Sequence, residues 1–358
     1  MYLINIEKMK RFLLSLLPLC ILSLAGCSTR GSDDSAGPVS IIFETDMGND
    51  VDDAMALDLL FKYMDAGRVN LLGVMINKVE PGGAEYVDLA RVWYGHPEVP
   101  IGIIREGADC TGDAVNYAQH VAGMRTEEGD PLFAGSVEDC SSLPLAVDLY
   151  REILAAQPDG SVTIVSTGFS TNLARLLDSE PDEYSDLDGT ALVAQKVNRL
   201  VTMAGCMLNE TTPEYNVMRD VPSAQKVFSR WPTEIVNSPF EVGISICYPS
   251  QSIMDDFGWT EAHPMVEAYK VYRQMPYDEP TWDITSVLYA VEGISNGDVP
   301  YFNVVGPGRI EFSDDACTHF APDPEEDRYF LAVDSLMCAN VLGRIKEILV
   351  SKPAVMEE

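Results

Sequence analysis

The chain has 358 residues and a net charge of −32, with 24 Lys and Arg residues against 56 Asp and Glu residues. This acidic balance argues against nucleic-acid binding, because contacts to phosphates depend on Lys and Arg. The eight cysteines include no CxxC pair, which argues against a zinc site, and no Gly-Lys-Ser/Thr phosphate-binding loop is present.

The N-terminus has the pattern of a bacterial export signal. Basic residues at positions 8, 10 and 11 precede an apolar run over 12–24, which at about 13 residues is too short for a membrane-spanning helix. The sequence Leu-Ala-Gly-Cys ending at Cys27 resembles the lipobox of lipoproteins, although an ordinary cleaved signal with a chance cysteine is the alternative. We predict a signal peptide over 1–27, a flexible tether over 28–38 and one domain over 39–358. The lipid on Cys27 would anchor the exported protein to the cell envelope, on its periplasmic or its outer face.

The remaining chain alternates short β-branched runs with longer amphipathic runs. Strands are predicted over 39–43, 69–76, 161–166, 197–203 and 233–236. Helices are predicted over 53–63, 84–94, 172–177, 222–228 and 283–291. Because such alternation is typical of βαβ units, the predicted fold class is α/β, with a mostly parallel open sheet flanked by helices. Residues 105–144 are turn-rich, and Gly306-Pro307-Gly308 favours an antiparallel hairpin within 302–327.

Ligands of open parallel sheets bind at the carboxyl ends of the strands. Five carboxylates follow the first predicted strand within ten residues, at Glu44, Asp46, Asp50, Asp52 and Asp53. Carboxylates this close repel one another unless a cation neutralises them, and their oxygens suit calcium or magnesium better than zinc. Helix capping would account for one or two of these residues. A metal site is therefore the favoured interpretation.

Three further segments place polar side chains at the ends of predicted strands or the starts of predicted helices. Residues 165–174 follow one strand and Thr281 to Thr285 precedes the last predicted helix, and capping explains either segment alone. The loop over 209–216 is dense in amides and carboxylates, which suit the several hydroxyls of a sugar. A merely polar surface loop is the alternative for that segment.

Taken in order, these segments resemble the inosine-uridine nucleoside hydrolase family over residues 41–291. The family opens on a strand followed by Asp-x-Asp-x-Gly-x-Asp-Asp-Ala-x-Ala. The positions that match this opening are Asp46, Gly48, Asp52, Asp53, Ala54 and Ala56. The later matches are Asn77, residues 167–174, Met203-Ala204-Gly205, Glu214-Tyr215-Asn216 and Asp220. Any one match is weak, whereas all of them in order are specific.

The resemblance implies a nucleoside-hydrolase-like fold with a Rossmann-like core and one bound Ca²⁺. The implied calcium ligands are Asp46, Asp53, Asp283 and the backbone carbonyl of Thr167. Calcium would bind and orient a water, and Asp46 would accept the proton of that water as general base. The residues implied to bind ribose hydroxyls are Asp52, Asn77, Asn209, Glu214 and Asn216.

The chain departs from the family pattern at three places. Glu44 replaces the first Asp, and two extra residues between Gly48 and the Asp-Asp pair leave the role of Asp50 open, including substitution for Asp52. Trp282 stands where many relatives carry a His that acts as general acid. Trp282 would stack on an aromatic base, or the leaving group differs from a natural nucleobase, or the indole only packs in the core. His120 is a distant candidate for the acid.

The predicted function is calcium-dependent hydrolysis of the N-glycosidic bond of a ribonucleoside or related N-riboside. The alternative is a lipoprotein that binds a sugar or nucleoside without turnover, but the presence of Asp46 favours an enzyme. A haloacid-dehalogenase-type phosphatase is disfavoured, because residues 44–48 lack both its nucleophilic Asp and its closing Thr or Val. The expected partners are the small-molecule substrate and the membrane, and relatives suggest a homo-oligomer that the sequence does not decide.

Overall fold

The computed structural model describes residues 37–108 and 115–356. The predicted signal peptide and most of the predicted tether lie outside the described residues. Within the described ranges, no helix has the length and apolar character needed to cross a membrane.

A nine-stranded mixed sheet forms the centre of the domain. Its strands in chain order are β1 Val39–Thr45, β2 Val69–Ile76, β3 Ile101–Gly102, β4 Val162–Ser166, β5 Val197–Met203, β6 Glu234–Ser238, β11 Asn303–Phe312, β12 Thr318–Pro322 and β13 Arg328–Ala332. The spatial order is β12-β11-β13-β6-β5-β4-β1-β2-β3. In this spatial order, the seven strands from β13 to β3 all pair in parallel. Strand β11 is antiparallel to both of its neighbours, β13 and β12. Two small sheets pair β7 Cys247–Tyr248 with β8 Glu279–Pro280, and β9 Ser295–Asn296 with β10 Val299–Pro300.

Helices cover both faces of this sheet. They are α1 Asp52–Asp65, α2 Gly83–Trp93, α3 Tyr117–Ala122, α4 Ala146–Ala156, α5 Thr171–Asp178, α6 Gly189–Lys196, α7 Tyr215–Arg219, α8 Val221–Arg230, α9 Phe240–Ile244, α10 Ser250–Asp255, α11 Pro264–Tyr272, α12 Trp282–Glu292 and α13 Ser335–Leu349. Successive strand residues point to opposite faces, so Ile41 and Phe43 join one buried core while Ile42 joins the other. A parallel sheet buried on both faces explains why the β1 sequence is apolar without alternation.

The predicted α/β class and mostly parallel sheet are confirmed. The ten predicted strands and helices are all present, with ends that shift by one or two residues, and β2 and β5 match their predicted bounds. The predicted antiparallel hairpin within 302–327 is confirmed, but Gly306-Pro307-Gly308 does not form its turn. Gly306 and Pro307 lie inside β11 at a shift in register against β13, and the turn lies at residues 313–317.

The order of strands reverses direction at β1, which has β2 on one side and β4 on the other. Two strands that diverge from such a switch point leave a crevice at their carboxyl ends. Asp46 follows β1, Thr167 follows β4 and Asn77 follows β2. The topology therefore brings three of the predicted site residues to one edge of the sheet.

Candidate active site

A pocket lies at this edge and encloses about 380 Å³ of space, part of it open to solvent. We call it the carboxylate pocket. Its lining residues are Asp46, Asn49, Asp50, Asp53, Thr167, Met203, Glu214, Tyr215, Asn216, Phe240, Trp282 and Asp283. These residues come from the ends of β1, β4 and β5 and from the starts of α1, α7, α9 and α12. The chain thus assembles the pocket from segments that are more than two hundred residues apart.

The turn after β1 aims its carboxylates inward. Gly48 has a φ of 105°, a left-handed conformation that favours glycine, and a Cβ there would lie 2.9 Å from Asn116 Oδ1. Helix α1 begins at Asp52, its N-cap is Val51, and no side chain caps it. Asp53 instead accepts a hydrogen bond from the Thr45 hydroxyl. The capping explanation for the acidic turn is therefore wrong.

The ends of β4 and β5 supply the opposite wall. Both the N–H and the hydroxyl of Thr167 donate to the Glu44 carbonyl, at 2.8 and 3.2 Å. Glu214 caps α7 and accepts backbone N–H groups of Gly205, Asn216 and Val217 at 3.0, 3.0 and 3.1 Å. The Asn216 amide donates to the Met203 carbonyl at 3.3 Å. These bonds fix Glu214 and Asn216 before any ligand arrives, so the wall is preorganised.

Three aromatic side chains form an apolar part of the pocket, at Tyr215, Phe240 and Trp282. The half-buried indole of Trp282 donates Nε1–H to the Phe240 carbonyl at 3.0 Å and stacks on the Phe240 ring at 5.6 Å. Trp282 therefore lines the pocket and is not merely a core residue. A flat aromatic surface beside a cluster of carboxylates suits a ligand with an aromatic group and a polyhydroxylated group.

Burial governs the protonation of the carboxylates. It raises the pKa of Asp46 to about 7, although the nearby Lys78 ammonium opposes the rise. It also raises the pKa of Asp52, Asp53 and Asp283 well above the usual range, and the neighbouring aspartates add to the effect. Without added positive charge, these groups cannot all be ionised together near neutral pH.

Glu44, one of the departures from the family pattern, is completely buried behind the pocket and does not line it. The Tyr150 hydroxyl donates to Glu44 Oε2 at 2.5 Å, while burial raises the pKa of Glu44 to about 8. Burial thus favours the protonated, neutral form of Glu44. Because Glu44 does not line the pocket, the replacement of Asp by Glu at this position leaves the charged groups that line the pocket unchanged.

Lys78 is a buried cation near the pocket aspartates that the sequence analysis did not single out. It follows the predicted Asn77, is buried, and has its Nζ 3.6 Å from Glu80 Oε2. Its charge lowers the pKa of both Asp46 and Asp53. The sequence signal was the position of Lys78, two residues after the end of β2. A lysine that is buried there beside acidic residues offsets part of their negative charge.

The structure separates the predicted hydroxyl-binding residues into three groups. Glu214 and Asn216 line the pocket. Asp52 and Asn77 are fully buried beside it without lining it. Asp52 Oδ2 accepts the backbone N–H of Asp283 at 2.9 Å. The side-chain amide of Asn77 lies close enough to Glu44 to lower its pKa, but neither polar atom of that amide completes a hydrogen bond of regular geometry.

Asn209 is the predicted residue that the structure does not bring to the pocket. It lies in an exposed loop, where its Oδ1 accepts hydrogen bonds from the N–H and the hydroxyl of Thr211 at 3.1 and 2.8 Å. His120 is also exposed, on α3, and does not line the pocket. Asp50, whose role the sequence left open, does line it.

The described ranges contain no group of three or more His, Cys, Asp or Glu side chains arranged as a formed metal site. The chemistry of the pocket nevertheless fits a hard cation. Asp46 Oδ2 and Asp53 Oδ2 are buried and have no hydrogen-bond partner, so each has an oxygen available as a ligand. Asp283 and Thr167 lie in the same lining and could complete an oxygen-only set.

The fold and the pocket define an α/β protein with an acidic, partly aromatic site at the switch point of a parallel sheet. The sequence profile described as inosine-uridine preferring nucleoside hydrolase matches residues 41–316. The chain belongs to this family, which confirms the resemblance inferred from its motifs.

Individual relatives agree with this assignment. The pyrimidine-specific ribonucleoside hydrolase RihA of Escherichia coli O139:H28 is 38% identical over 102 residues, which cover 28% of this chain and 27% of that protein. The match thus spans about a quarter of the length of such curated relatives. Two solved structures are similar at 16% identity, a level that shows the fold alone. A plant nucleoside hydrolase, PpNRh1, has a TM-score of 0.64 and covers 88% of this chain and 100% of its own. The inosine-uridine preferring nucleoside hydrolase from Bacillus anthracis has a TM-score of 0.62 and covers 87% and 99%.

Proposed function

We propose that the protein hydrolyses the N-glycosidic bond of a ribonucleoside or related N-riboside in a Ca²⁺-dependent reaction that yields ribose and the free base. The observation that carries the proposal is Asp46, whose unpartnered Oδ2 belongs to a pocket with carboxylates and an aromatic surface. Family membership supports the reaction class.

Asp46 acts as the general base. One carboxylate oxygen of Asp46 accepts a proton from the attacking water, whose oxygen forms a bond to the anomeric carbon while the carbon–nitrogen bond breaks and its electron pair leaves with the base. Oxocarbenium charge on the ribose is stabilised by the surrounding carboxylates, which already point at the pocket.

Ca²⁺ would be held by Asp46, Asp53, Asp283 and the Thr167 carbonyl. When bound, it would supply the positive charge that lets these carboxylates stay ionised together and would act as a Lewis acid toward oxygen. The side chains of Glu214 and Asn216 hold the sugar hydroxyls. Asp52 and Asn77 are fully buried beside this surface and do not line the pocket.

The leaving group stacks on the aromatic surface of Tyr215, Phe240 and Trp282. Trp282 holds the base in place but has no proton to give, because its Nε1–H is committed to the Phe240 carbonyl. The preferred substrate should therefore carry a base that departs readily or takes its proton from solvent.

Export and lipid anchoring on Cys27 remain a proposal that rests on the sequence of residues 1–27 alone. Such an anchor would place the domain outside the cytoplasm, where it would act on external nucleosides. Labelling of the full-length chain with a radioactive fatty acid, compared with Cys27→Ala, tests the anchor. Absence of label from the wild type would argue for an ordinary cleaved signal, and equal label on both proteins would place the lipid on a residue other than Cys27.

The function is tested by incubating the full-length chain in detergent with purine and pyrimidine nucleosides and separating free base by chromatography. We expect base release from at least one nucleoside and a loss of 10²- to 10⁴-fold, on the order expected for a general base, in Asp46→Asn. Binding without any base release would support the non-catalytic alternative.

A further inference from the structure

The acidic turn presents Asp50, and not Asp52, to the carboxylate pocket. Asp50 lines the carboxylate pocket and is partly exposed, whereas Asp52 is 0% exposed and does not line it. Asp52 instead accepts the backbone N–H of Asp283 at 2.9 Å and so ties the start of α12 to α1. The side chain in the position to meet a ligand is that of Asp50.

Asp50 is held in this position from outside the turn. The Tyr272 hydroxyl, at the end of α11, donates to Asp50 Oδ1 at 2.6 Å. The Tyr272 ring is itself restrained by Tyr117, edge-on at 6.2 Å, and by the Arg273 guanidinium, which lies 5.0 Å from the ring centroid. A hydrogen bond from a restrained phenol fixes the direction in which the carboxylate points.

Building on the proposed function, we propose that Asp50 accepts a hydrogen bond from one hydroxyl of the substrate's sugar and that Tyr272 is its positioning residue. An ionised carboxylate is an acceptor only, so it pairs with a hydroxyl and discriminates against a sugar that lacks it. Asp50 lies close enough to Glu214 for its charge to raise the pKa of Glu214, and both residues line the pocket. Asp50 is therefore on the side of the pocket where Glu214 is proposed to hold the sugar.

The test is a thermodynamic cycle in which each protein variant is combined with each modified substrate. The full-length chain and its Asp50→Ala, Asp52→Ala and Tyr272→Phe variants are assayed on the preferred nucleoside and on its 2′-deoxy, 3′-deoxy and 5′-deoxy analogues. In the wild type, removal of the hydroxyl that Asp50 binds should lower kcat/KM roughly 10- to 100-fold. In Asp50→Ala that loss should shrink to less than about threefold, while the losses for the other two hydroxyls persist.

Tyr272→Phe should raise KM more than it lowers kcat and should weaken the same hydroxyl preference. A merely structural role for Tyr272 would instead lower activity equally on all four substrates. If Asp50→Ala is poorly folded, as judged by its melting temperature, Asp50→Asn takes its place in the cycle. Full retention of all three hydroxyl preferences, or their loss in Asp52→Ala instead, overturns the assignment.

A wild type that releases no base contradicts the proposed function and not this inference. The same cycle is then measured with dissociation constants from calorimetry, in which the hydroxyl bound by Asp50 appears as a loss of affinity. Coupling between Asp50 and one hydroxyl would support the inference for a binding protein, and absence of coupling would overturn it.

Discussion

At the scale of single residues, we expect Lys78 to lower the pKa of Asp46, the proposed general base. Its buried ammonium lowers the pKa of Asp46, so replacing it with an apolar side chain should raise that pKa further. In Lys78→Met at subsaturating Ca²⁺, the acidic limb of the profile of kcat/KM against pH should move to higher pH, with a loss of roughly tenfold at about pH 6, because Asp46 must be ionised both to bind Ca²⁺ and to accept a proton.

The matched control is Lys270→Met, which removes an exposed lysine that pairs with Glu267 at 2.8 Å on α11. Its profile should coincide with that of the wild type. An acidic limb in Lys78→Met that also coincides with the wild type would show that Lys78 does not act on the base.

Gly243 allows Trp282 to reach the pocket. A Cβ at position 243 would lie 2.5 Å from the Cα of Trp282 and would overlap its indole ring. Gly243→Ala should therefore displace Trp282, lower stability by about 1–3 kcal/mol and reduce kcat/KM, as measured by urea unfolding and base release. Gly258→Ala is the control, because a Cβ there meets nothing within 4 Å. Equal effects of the two substitutions would contradict the packing argument.

At the scale of elements, β8 carries a buried acid that makes stability depend on pH. Glu279 is 0% exposed, neither of its oxygens has a hydrogen-bond partner, and Arg273 Nη1 lies 3.7 Å away. Burial and the nearby Asp52 and Asp50 raise the pKa of Glu279 to about 9. The folded state therefore favours its protonated form, and this contribution to stability is lost as pH rises toward 9.

Glu279→Gln should remove that loss, because the amide has no proton to release. In a calcium chelator, its free energy of unfolding should exceed that of the wild type by more at pH 8 than at pH 5, with a gain on the order of 2–4 kcal/mol at pH 8. Urea unfolding at both pH values measures the difference. The exposed Glu98→Gln serves as control, and the same slope against pH in wild type and Glu279→Gln would refute the prediction.

The regular elements were predictable because each carries its own pattern. The mainly apolar sequences of β1 and β2 and the amphipathic helix between them depend on local residues and on burial, which sequence records directly. The bulge in β11 was not predictable, because Gly306 and Pro307 are also the residues of a turn. Only pairing with β13 decides between the two.

The strand ends that form the candidate site could be predicted from the sequence. The side chains that face the pocket could not. Asp50 and Asp52 are two residues apart but point differently, because Tyr272 and the Asp283 backbone N–H, both more than two hundred residues away, hold them differently. The resemblance implied that Asn209 binds the sugar, yet its side chain accepts hydrogen bonds from Thr211 in its own loop. Contacts at long sequence separation decide such orientations, and no local pattern encodes them.

At the scale of the whole molecule, the switch point of the sheet concentrates negative charge in one place. The strand order brings the ends of β1 and β4 together, and α12 adds Asp283 from the other end of the domain. The resulting buried carboxylates are balanced within the described ranges by Lys78 but by no formed metal site. A cation that binds there should both stabilise the fold and switch on the chemistry.

The most direct test of this account is base release by chelated protein during titration with Ca²⁺, with wild type and Asp46→Asn compared on the preferred nucleoside. We predict no turnover before addition, saturable activation in the wild type, and activity lower by roughly 10²- to 10⁴-fold in Asp46→Asn at saturating Ca²⁺. Turnover that persists in the chelator, or that survives Asp46→Asn unchanged, would contradict the central claim that this carboxylate pocket is a calcium-dependent N-ribosyl hydrolase site.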